Sequence, residues 1–239
     1  MSKRFPPGKC VHCLRDFESL TSDHLLPKAW LPKSIPENVE RWQIPSCSEC
    51  NKNYGKLEED LLVAFSHCLD PKDPLYEGLY IKAKRSITPS AGKSEQDCEK
   101  RKNQRTRFLK KFIHSSQVPK SAFFPGFGLS EVPNSDWGLL IPEESLKKFG
   151  EKIIRGIIYI TKRMYVDFSH EISVDFQHEE NIKDLINLME THGEIYEFGQ
   201  AISIKVWYAE NYLPCGVFDI FILRKVRMYG FVKNKSLVV

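Results

Sequence analysis

The sequence predicts an α+β protein, with a small cysteine-rich N-terminal unit followed by a C-terminal unit of helices and antiparallel strands. Cysteine, histidine, proline and asparagine are concentrated in residues 8–70, whereas the C-terminal part combines helical and β-rich apolar patterns. We therefore divide the chain into three parts. Residues 1–75 form the N-terminal unit, residues 76–140 form a basic helix and an irregular connection, and residues 141–239 form the second α+β unit.

The composition is that of a folded globular chain. Hydrophobic residues make up 41% of the 239 residues and charged residues make up 28%, proportions typical of a protein that buries a core. The N-terminus has no apolar signal segment, and no apolar run reaches the length of a membrane span. We therefore expect a cytoplasmic protein without a membrane partner.

Four of the seven cysteines form two Cys-x-x-Cys pairs that are separated by 33 residues. Each pair places two thiolates on one tight turn, and two pairs together complete a tetrahedral zinc site. Such a site stabilises a segment that is too small for a large core, and it leaves no open position for catalysis. We do not expect His12, inside the first pair, to bind the ion. The predicted structural Zn²⁺ ligands are Cys10, Cys13, Cys47 and Cys50.

Two polar segments lie beside the cysteine pairs. Asp23 and His24 lie between the pairs, and Asn51 directly follows the last cysteine. An imidazole titrates near neutral pH and can take a proton from water, while Asp and Asn oxygens suit a hard cation such as Mg²⁺ or Mn²⁺. Because alternate side chains of a strand point to opposite faces, Asp23 and His24 can share a site only if the strand bends or the metal lies to one side.

The order of these motifs is Cys-x-x-Cys, then Asp-His-x-x-Pro-Lys, then Pro-Ser-Cys-x-x-Cys-Asn. Over about residues 8–65 it resembles the zinc-knuckle branch of the HNH, or ββα-metal, nucleases. The resemblance implies that His24 is the general base and that Asp23 and Asn51 bind a catalytic Mg²⁺ or Mn²⁺. It further implies endonucleolytic hydrolysis of DNA, in which this metal stabilises the departing 3′-oxygen, in a setting such as restriction or phage defence.

The sequence departs from the family pattern at two positions. The family often has a lysine three residues after the asparagine, where this chain has Tyr54. The family also has a middle asparagine that orients the general base, and Trp42 stands at that place here. Asn38 is the candidate for this orienting role, and an ordinary loop asparagine is the alternative.

Several residues near the motif leave alternatives open. Asn53 is a rival of Asn51 as metal ligand, and Asn51 could also cap the helix that follows. Glu58 or Glu59 could add a ligand or orient one, although a solvated helix face is the commoner role of such acids. Lys28 could contact a phosphate or lie on an ordinary surface.

A basic segment follows the N-terminal unit. Residues 97–111 carry seven basic residues against Asp97 and Glu99, a local charge of +5 in a chain of net charge +4. A localised basic segment is typical of a polyanion partner, and the alternative is a solvated helix face. We predict a helix over 95–114 that binds the nucleic-acid backbone together with Lys28. The residues proposed for this contact are Lys100, Arg101, Arg105, Arg107, Lys110 and Lys111.

The C-terminal unit is predicted from its apolar spacing. Pro142, followed by two glutamates, is a favourable helix start, and apolar residues then recur at helical spacing as far as Ile160. We expect a second helix over 179–191 and an antiparallel meander of three strands packed on the helices. The three strand segments are 201–208, 217–223 and 226–232.

These expectations define a divalent-metal-dependent endonuclease with a structural zinc, acting on nucleic acid and in the first place on double-stranded DNA. The C-terminal unit is the candidate surface for a homodimer or a gating partner. One alternative is a zinc-knuckle module that binds nucleic acid without cleaving it, which Trp42 and Tyr54 favour. The other is a sensor or interaction protein whose C-terminal unit carries the function and which does not bind nucleic acid.

Overall fold

A computed structural model describes residues 4–31, 42–70, 72–76, 78–117, 137–176, 182–199 and 201–237. Helices and antiparallel strands are both present in these ranges, in agreement with the predicted α+β class. The helices are α1 (Ser48–Ser66), α2 (Leu79–Ser86), α3 (Glu95–Leu109), α4 (Glu143–Lys162) and α5 (Lys183–His192). None of these helices is long and apolar enough to cross a membrane.

The strands are short in the N-terminal half and longer in the C-terminal half. The first seven are β1 (Arg4–Phe5), β2 (Gly8–Lys9), β3 (Asp16–Phe17), β4 (Leu20–His24), β5 (Gln43–Ser46), β6 (Phe112–His114) and β7 (Trp137–Leu139). The other five are β8 (His170–Asp175), β9 (Glu194–Phe198), β10 (Ile202–Tyr208), β11 (Gly216–Ile222) and β12 (Val226–Asn234).

The N-terminal unit is built on a paired hairpin and the helix that follows it. β4 pairs with β1 on one side and with β5 on the other, and β5 leads through Cys47 directly into α1. The register between β4 and β5 is continuous from Thr21↔Ser46 to His24↔Gln43. The resulting order of strand, strand and helix is compatible with the ββα arrangement that the sequence predicted for this segment.

The C-terminal half contains a five-stranded antiparallel sheet with strand order β8-β12-β11-β10-β9. The predicted meander corresponds to β10, β11 and β12, and its three strands are confirmed. α4 packs against β8 and β12 on one face of the sheet. On the other face, Met189 of α5 packs with Val217 and Tyr229. β8 and β9 complete the two edges of the sheet and lie outside the predicted strand segments.

One apolar core extends through both halves of the chain. Trp30 and Phe65 from the N-terminal part belong to the same buried cluster as Ile153 and Ile157 of α4 and the inner face of the five-stranded sheet. Apolar contacts therefore continue across the boundaries that we set at residues 75 and 141. The division of the chain into three parts stays a prediction.

Three predicted helices can be compared with the structure. α4 begins at Glu143, directly after Pro142, and ends at Lys162, so the predicted start is confirmed. α3 ends at Leu109, and the prediction that it reaches residue 114 is wrong because residues 112–114 form β6 and pair with β7. α5 covers Lys183–His192, and the predicted residues 179–181 lie outside the described residues.

Gly156 lets α4 lie directly on the N-terminal hairpin. A Cβ atom at this position would overlap the Cδ1 atom of Leu25 and would lie 3.3 Å from the Cδ1 atom of Ile44. Both neighbours are fully buried, so they cannot move aside without disturbing the core. The same close approach brings Lys152, one helical turn earlier, to the hairpin residue Asp23.

We expect Gly156→Ala to lower the free energy of unfolding by about 1–3 kcal/mol, because the added methyl group overpacks the contact between α4 and the hairpin. Gly55→Ala in α1 is the matched control, since a Cβ there meets no atom within 4 Å. The control should be stabilised by about 0.5–1 kcal/mol through the helix preference of alanine. Urea unfolding measures both changes, and equal effects of the two substitutions would contradict the packing described for Gly156.

Candidate functional site

The four predicted zinc ligands converge in the structure. Each cysteine offers one sulfur atom, and the sulfur atoms all lie within 4.8 Å of one another. All four cysteines are free of disulfide bonds. Four thiolates at this spacing match the donor set of a tetrahedral structural zinc, so the cluster can hold the ion that the Cys-x-x-Cys spacing predicts. Its members are Cys10, Cys13, Cys47 and Cys50.

Two local structures bring these cysteines together. Cys10 and Cys13 lie on the tight turn between β2 and β3, which is closed by Leu14 in a left-handed conformation, with φ of 62°. Cys47 is the N-cap of α1, and its sulfur accepts a hydrogen bond from the Cys50 N–H at 3.4 Å. The Cys47 N–H in turn donates to the sulfur of Cys10 at 3.3 Å. These two N–H groups fix the positions of the Cys10 and Cys47 sulfur atoms in the cluster.

The carboxylate of Asp23 is buried and fully engaged. The side chain lies on β4, and Asp23 is 5% exposed. Its Oδ2 atom lies 3.0 Å from His12 Nε2, and its Oδ1 atom accepts a hydrogen bond from Lys152 Nζ at 3.1 Å. Burial alone would raise the pKa of Asp23, but the bond from His12 and the charge of Lys152 outweigh it and leave the pKa lowered. Asp23 is therefore an ionised carboxylate with a protein partner on each oxygen.

Lys152 of α4 is the second charged member of this cluster. The residue is fully buried, and its ammonium donates to Asp23, to the main-chain oxygen of His24 at 2.7 Å, and to Glu58 Oε1 in a short contact. An ammonium has three N–H groups, and here each one has an oxygen acceptor. The polar cluster of His12, Asp23, Glu58 and Lys152 thus joins β4, α1 and α4.

Asn51 binds β4 close to Asp23. Its side-chain amide donates to Thr21 Oγ1 at 2.9 Å and to the main-chain oxygen of Ser22 at 3.3 Å. The N-cap of α1 is Cys47, so the suggestion that Asn51 caps the helix is wrong. The rival residue Asn53 is exposed to solvent. Asn51 rather than Asn53 therefore stands against the strand that carries Asp23.

His24 and Asp23 lie on a regular part of β4. Their backbone partners on β5 are Gln43 and Ile44, and the pairing continues through both residues without a bulge. The two side chains therefore point to opposite faces of the strand. The bend that would let them share one face does not occur within this pairing. His24 reaches the polar cluster through its main-chain oxygen, which accepts from Lys152.

Three members of the polar cluster were missed or misread in the sequence. His12 was correctly left out of the zinc ligands, yet its side chain is only 2% exposed and packs on Tyr54, with ring centroids 4.5 Å apart. For Glu58 a solvated helix face was the commoner of two alternatives, but the residue is 8% exposed and bonded to Lys152. Lys152 does leave a signal in the sequence, since it lies three residues after Phe149, on the helix face that is otherwise apolar.

The two departures from the family pattern also have a place in the structure. Trp42 packs edge-on against Tyr196 and Phe198 of β9, with ring centroids 5.1 and 5.2 Å apart, so its ring belongs to the apolar core. Tyr54 covers the ring of His12. Asn38, the candidate for orienting the general base, lies outside the described residues.

The basic residues of α3 are used largely within the protein. Lys100 pairs with Glu59 at 3.0 Å, and Arg107 pairs with Asp60 at 2.9 Å, so that both bind α3 to α1. Arg101 pairs with Asp97 on its own helix. Nucleic-acid contact through this segment stays a prediction. Four further residues were proposed for that contact. Lys28, Arg105 and Lys110 are exposed, and Lys111 is half-buried.

The polar cluster does not fit the divalent ion that the resemblance implies. Mg²⁺ or Mn²⁺ held by Asp23 and Asn51 would bind a carboxylate that already pairs with the Lys152 ammonium at 3.1 Å, and the two positive charges would repel each other. The amide nitrogen of Asn51 is bonded to β4, which fixes its side chain against the strand. The cysteine cluster can therefore hold zinc, whereas Lys152 already supplies a positive charge beside Asp23, where the catalytic ion was predicted.

Comparisons with protein-family models, with curated proteins and with solved structures found no match to this chain. The resemblance to HNH nucleases consequently rests on the order of the motifs. Of the features that it implies, the structure supports the cysteine cluster, which is compatible with a zinc knuckle.

We expect purified protein to contain about one zinc ion per chain, because four thiolates hold the ion. Cys47→Ser should lose the zinc and, with it, the cooperative unfolding transition of the N-terminal unit. Cys98→Ser is the control, since Cys98 lies on α3 outside the cysteine cluster. Elemental analysis and thermal melts of both variants check this. Retention of zinc by Cys47→Ser would rule out the four-cysteine centre.

A second prediction concerns Glu58, for which burial raises the pKa from 4.5 to about 7, although Lys152 opposes the shift. The folded protein holds this proton up to about pH 7, whereas the unfolded chain releases it near 4.5. The stabilisation from Glu58 is thus complete below pH 4.5 and is lost as the pH rises through 7. Glu58→Gln should therefore gain stability relative to the wild type across this window, as measured by urea unfolding. A stability difference that is independent of pH would contradict the raised pKa.

Proposed function

We propose that this protein hydrolyses phosphodiester bonds in nucleic acid, in the first place double-stranded DNA, at the corner between β4 and the start of α1. The observation that carries the proposal is the cysteine cluster, which fastens the hairpin to the first turn of α1. Asp23, His24 and Asn51 are thereby held on neighbouring elements, and Asn51 is bonded directly to β4. The order of the motifs adds its support. Restriction or phage defence is the setting proposed by analogy.

In this proposal His24 takes a proton from the attacking water, because imidazole is suited to that role near neutral pH. The zinc holds the fold and takes no part in the reaction, since four thiolates leave no open position on the ion. Asp23 is too deeply engaged to contact a phosphate. Exposed lysines would meet the charge of the substrate. Lys52 and Lys56 lie on α1, and Lys28 lies four residues after the end of β4.

A second candidate function is binding of nucleic acid without cleavage. The engagement of both Asp23 oxygens favours it, and so does the placement of Asp23 and His24 on opposite faces of β4. A zinc knuckle with lysines on its surface would bind the phosphate backbone with an affinity that falls as the salt concentration rises. The two candidates therefore share binding and differ in cleavage.

Cleavage of supercoiled plasmid by the zinc-loaded protein tests the proposal, with Mg²⁺, with Mn²⁺ and without added divalent ion. We expect the wild type to nick the plasmid and His24→Ala to lose about 10²–10⁴-fold in rate, the usual contribution of a general base. His192→Ala is the matched control, because His192 is an exposed histidine at the end of α5. Both variants must keep the zinc content and the melting curve of the wild type.

Equal cleavage by the wild type and His24→Ala would show that His24 is not the base. Salt-dependent DNA binding with no cleavage under any of the three ion conditions would instead establish the second candidate.

A further inference from the structure

Lys152 carries a positive charge into the apolar interior of the protein. Its neighbours in α4, Ile153 and Ile154, are fully buried, as is Phe149 one turn earlier. An ammonium placed in such surroundings is strongly unfavourable unless it is paired and hydrogen-bonded. The partners of Lys152 therefore define a place in the fold that is built to hold a cation.

Those partners are oxygen atoms of the kind that bind hard metal ions. The ammonium nitrogen lies 3.1 Å from Asp23 Oδ1 and 2.7 Å from the main-chain oxygen of His24, and it makes a short contact with Glu58 Oε1. Two carboxylates and a carbonyl are also a common part of the oxygen shell of Mg²⁺ or Mn²⁺. We call this set of three oxygens the oxygen pocket. Lys152 and a divalent ion cannot occupy it together, because their charges repel at bonding distance.

Lys152 is also held in place by the packing of its helix. At Gly156, α4 packs so closely on Leu25 and Ile44 that an added Cβ atom would overlap Leu25. Ile153 and Ile157 of the same helix are buried in the common core. A shift of α4 would break this packing and leave two buried carboxylates without their cation, which is strongly destabilising. The backbone of Lys152 is therefore fixed beside the oxygen pocket, and its ammonium is paired with the buried acids in the folded protein.

We propose that Lys152 is the resident cation of the oxygen pocket, and that the wild-type chain consequently binds no Mg²⁺ or Mn²⁺ through Asp23. Removal of the lysine charge converts the pocket into a divalent-cation site in which Glu58 is an additional ligand. The inference rests on the proposed function for the choice of site, and it replaces the metal that the resemblance implies by a side chain of this protein.

Electron paramagnetic resonance of Mn²⁺ tests the inference on the zinc-loaded protein. The comparison includes the wild type, Asp23→Asn, Lys152→Ala, and Lys152→Ala combined with Asp23→Asn. Lys148→Ala is the matched control, because Lys148 lies on the same helix one turn earlier, is exposed, and pairs with Glu144. We expect Lys152→Ala to bind Mn²⁺ at least about tenfold more tightly than the wild type, since two carboxylates become available. The added Asp23→Asn should abolish that gain, and Lys148→Ala should behave as the wild type.

The inference is overturned if the wild type binds Mn²⁺ tightly and Asp23→Asn removes the binding. It is also overturned if Lys152→Ala folds, keeps its zinc and binds Mn²⁺ no better than the wild type. If Lys152→Ala does not fold, the Mn²⁺ affinities of the wild type and Glu58→Gln are compared instead. Equally weak Mn²⁺ binding by the two proteins supports the inference, whereas Mn²⁺ binding that is weaker in Glu58→Gln than in the wild type overturns it.

Plasmid cleavage measured on the same samples separates this inference from the proposed function. Cleavage by a wild type that lacks the Mn²⁺ site supports both. The expected Mn²⁺ pattern without any cleavage supports the role of Lys152 and rejects the nuclease. Cleavage that appears only when Mn²⁺ binds at Asp23 in the wild type supports the nuclease and overturns the role of Lys152.

Discussion

The buried ammonium of Lys152 is the interaction on which the arrangement of the two halves depends. Taking the Lys152 ammonium and the Asp23 carboxylate out of water, together with the acidic side chain of Glu58, has a large desolvation penalty, which is offset only while each N–H group keeps its acceptor. The three acceptors come from β4 and α1, so the hydrogen bonds of the Lys152 ammonium fix α4 against both elements. The glycine at position 156 and the apolar core act in the same direction, because they allow and then maintain the close approach that the ammonium needs. Removal of one partner from a buried ion pair typically lowers stability by about 3–5 kcal/mol.

β4 is consequently held at both ends by different chemistry. At its start, Leu20 packs with Cys10 and Cys47 at the proposed zinc centre. At its end, Asp23 and the His24 carbonyl bind Lys152. This double attachment gives the corner between β4 and α1 the rigidity that a reaction site needs. It also directs the one carboxylate of the motif inwards, so that any chemistry at the surface must rely on His24, on Asn51 and on exposed cations.

The sequence was informative where the signal is local. The Cys-x-x-Cys spacing identified the four clustered cysteines because two sulfur atoms on each tight turn leave little geometric freedom, and the strand period identified the meander of β10 to β12. It was uninformative where partners are far apart in the chain. Lys152 meets Asp23 across 129 positions, and no periodicity connects them. The end of α3 was missed for a related reason, since β6 exists only through its pairing with the distant β7. Likewise, Lys100 and Arg107 of the basic segment pair with Glu59 and Asp60 of α1, more than 40 positions away in the chain.

A crystal structure of the zinc-loaded protein grown with Mn²⁺, with anomalous data collected at the zinc and manganese edges, tests the central claim most directly. The account predicts a zinc peak at the four cysteines, no manganese peak at Asp23, and Lys152 Nζ in contact with the oxygen pocket. A manganese ion between Asp23 and Asn51, with Lys152 displaced from the pocket, would contradict it.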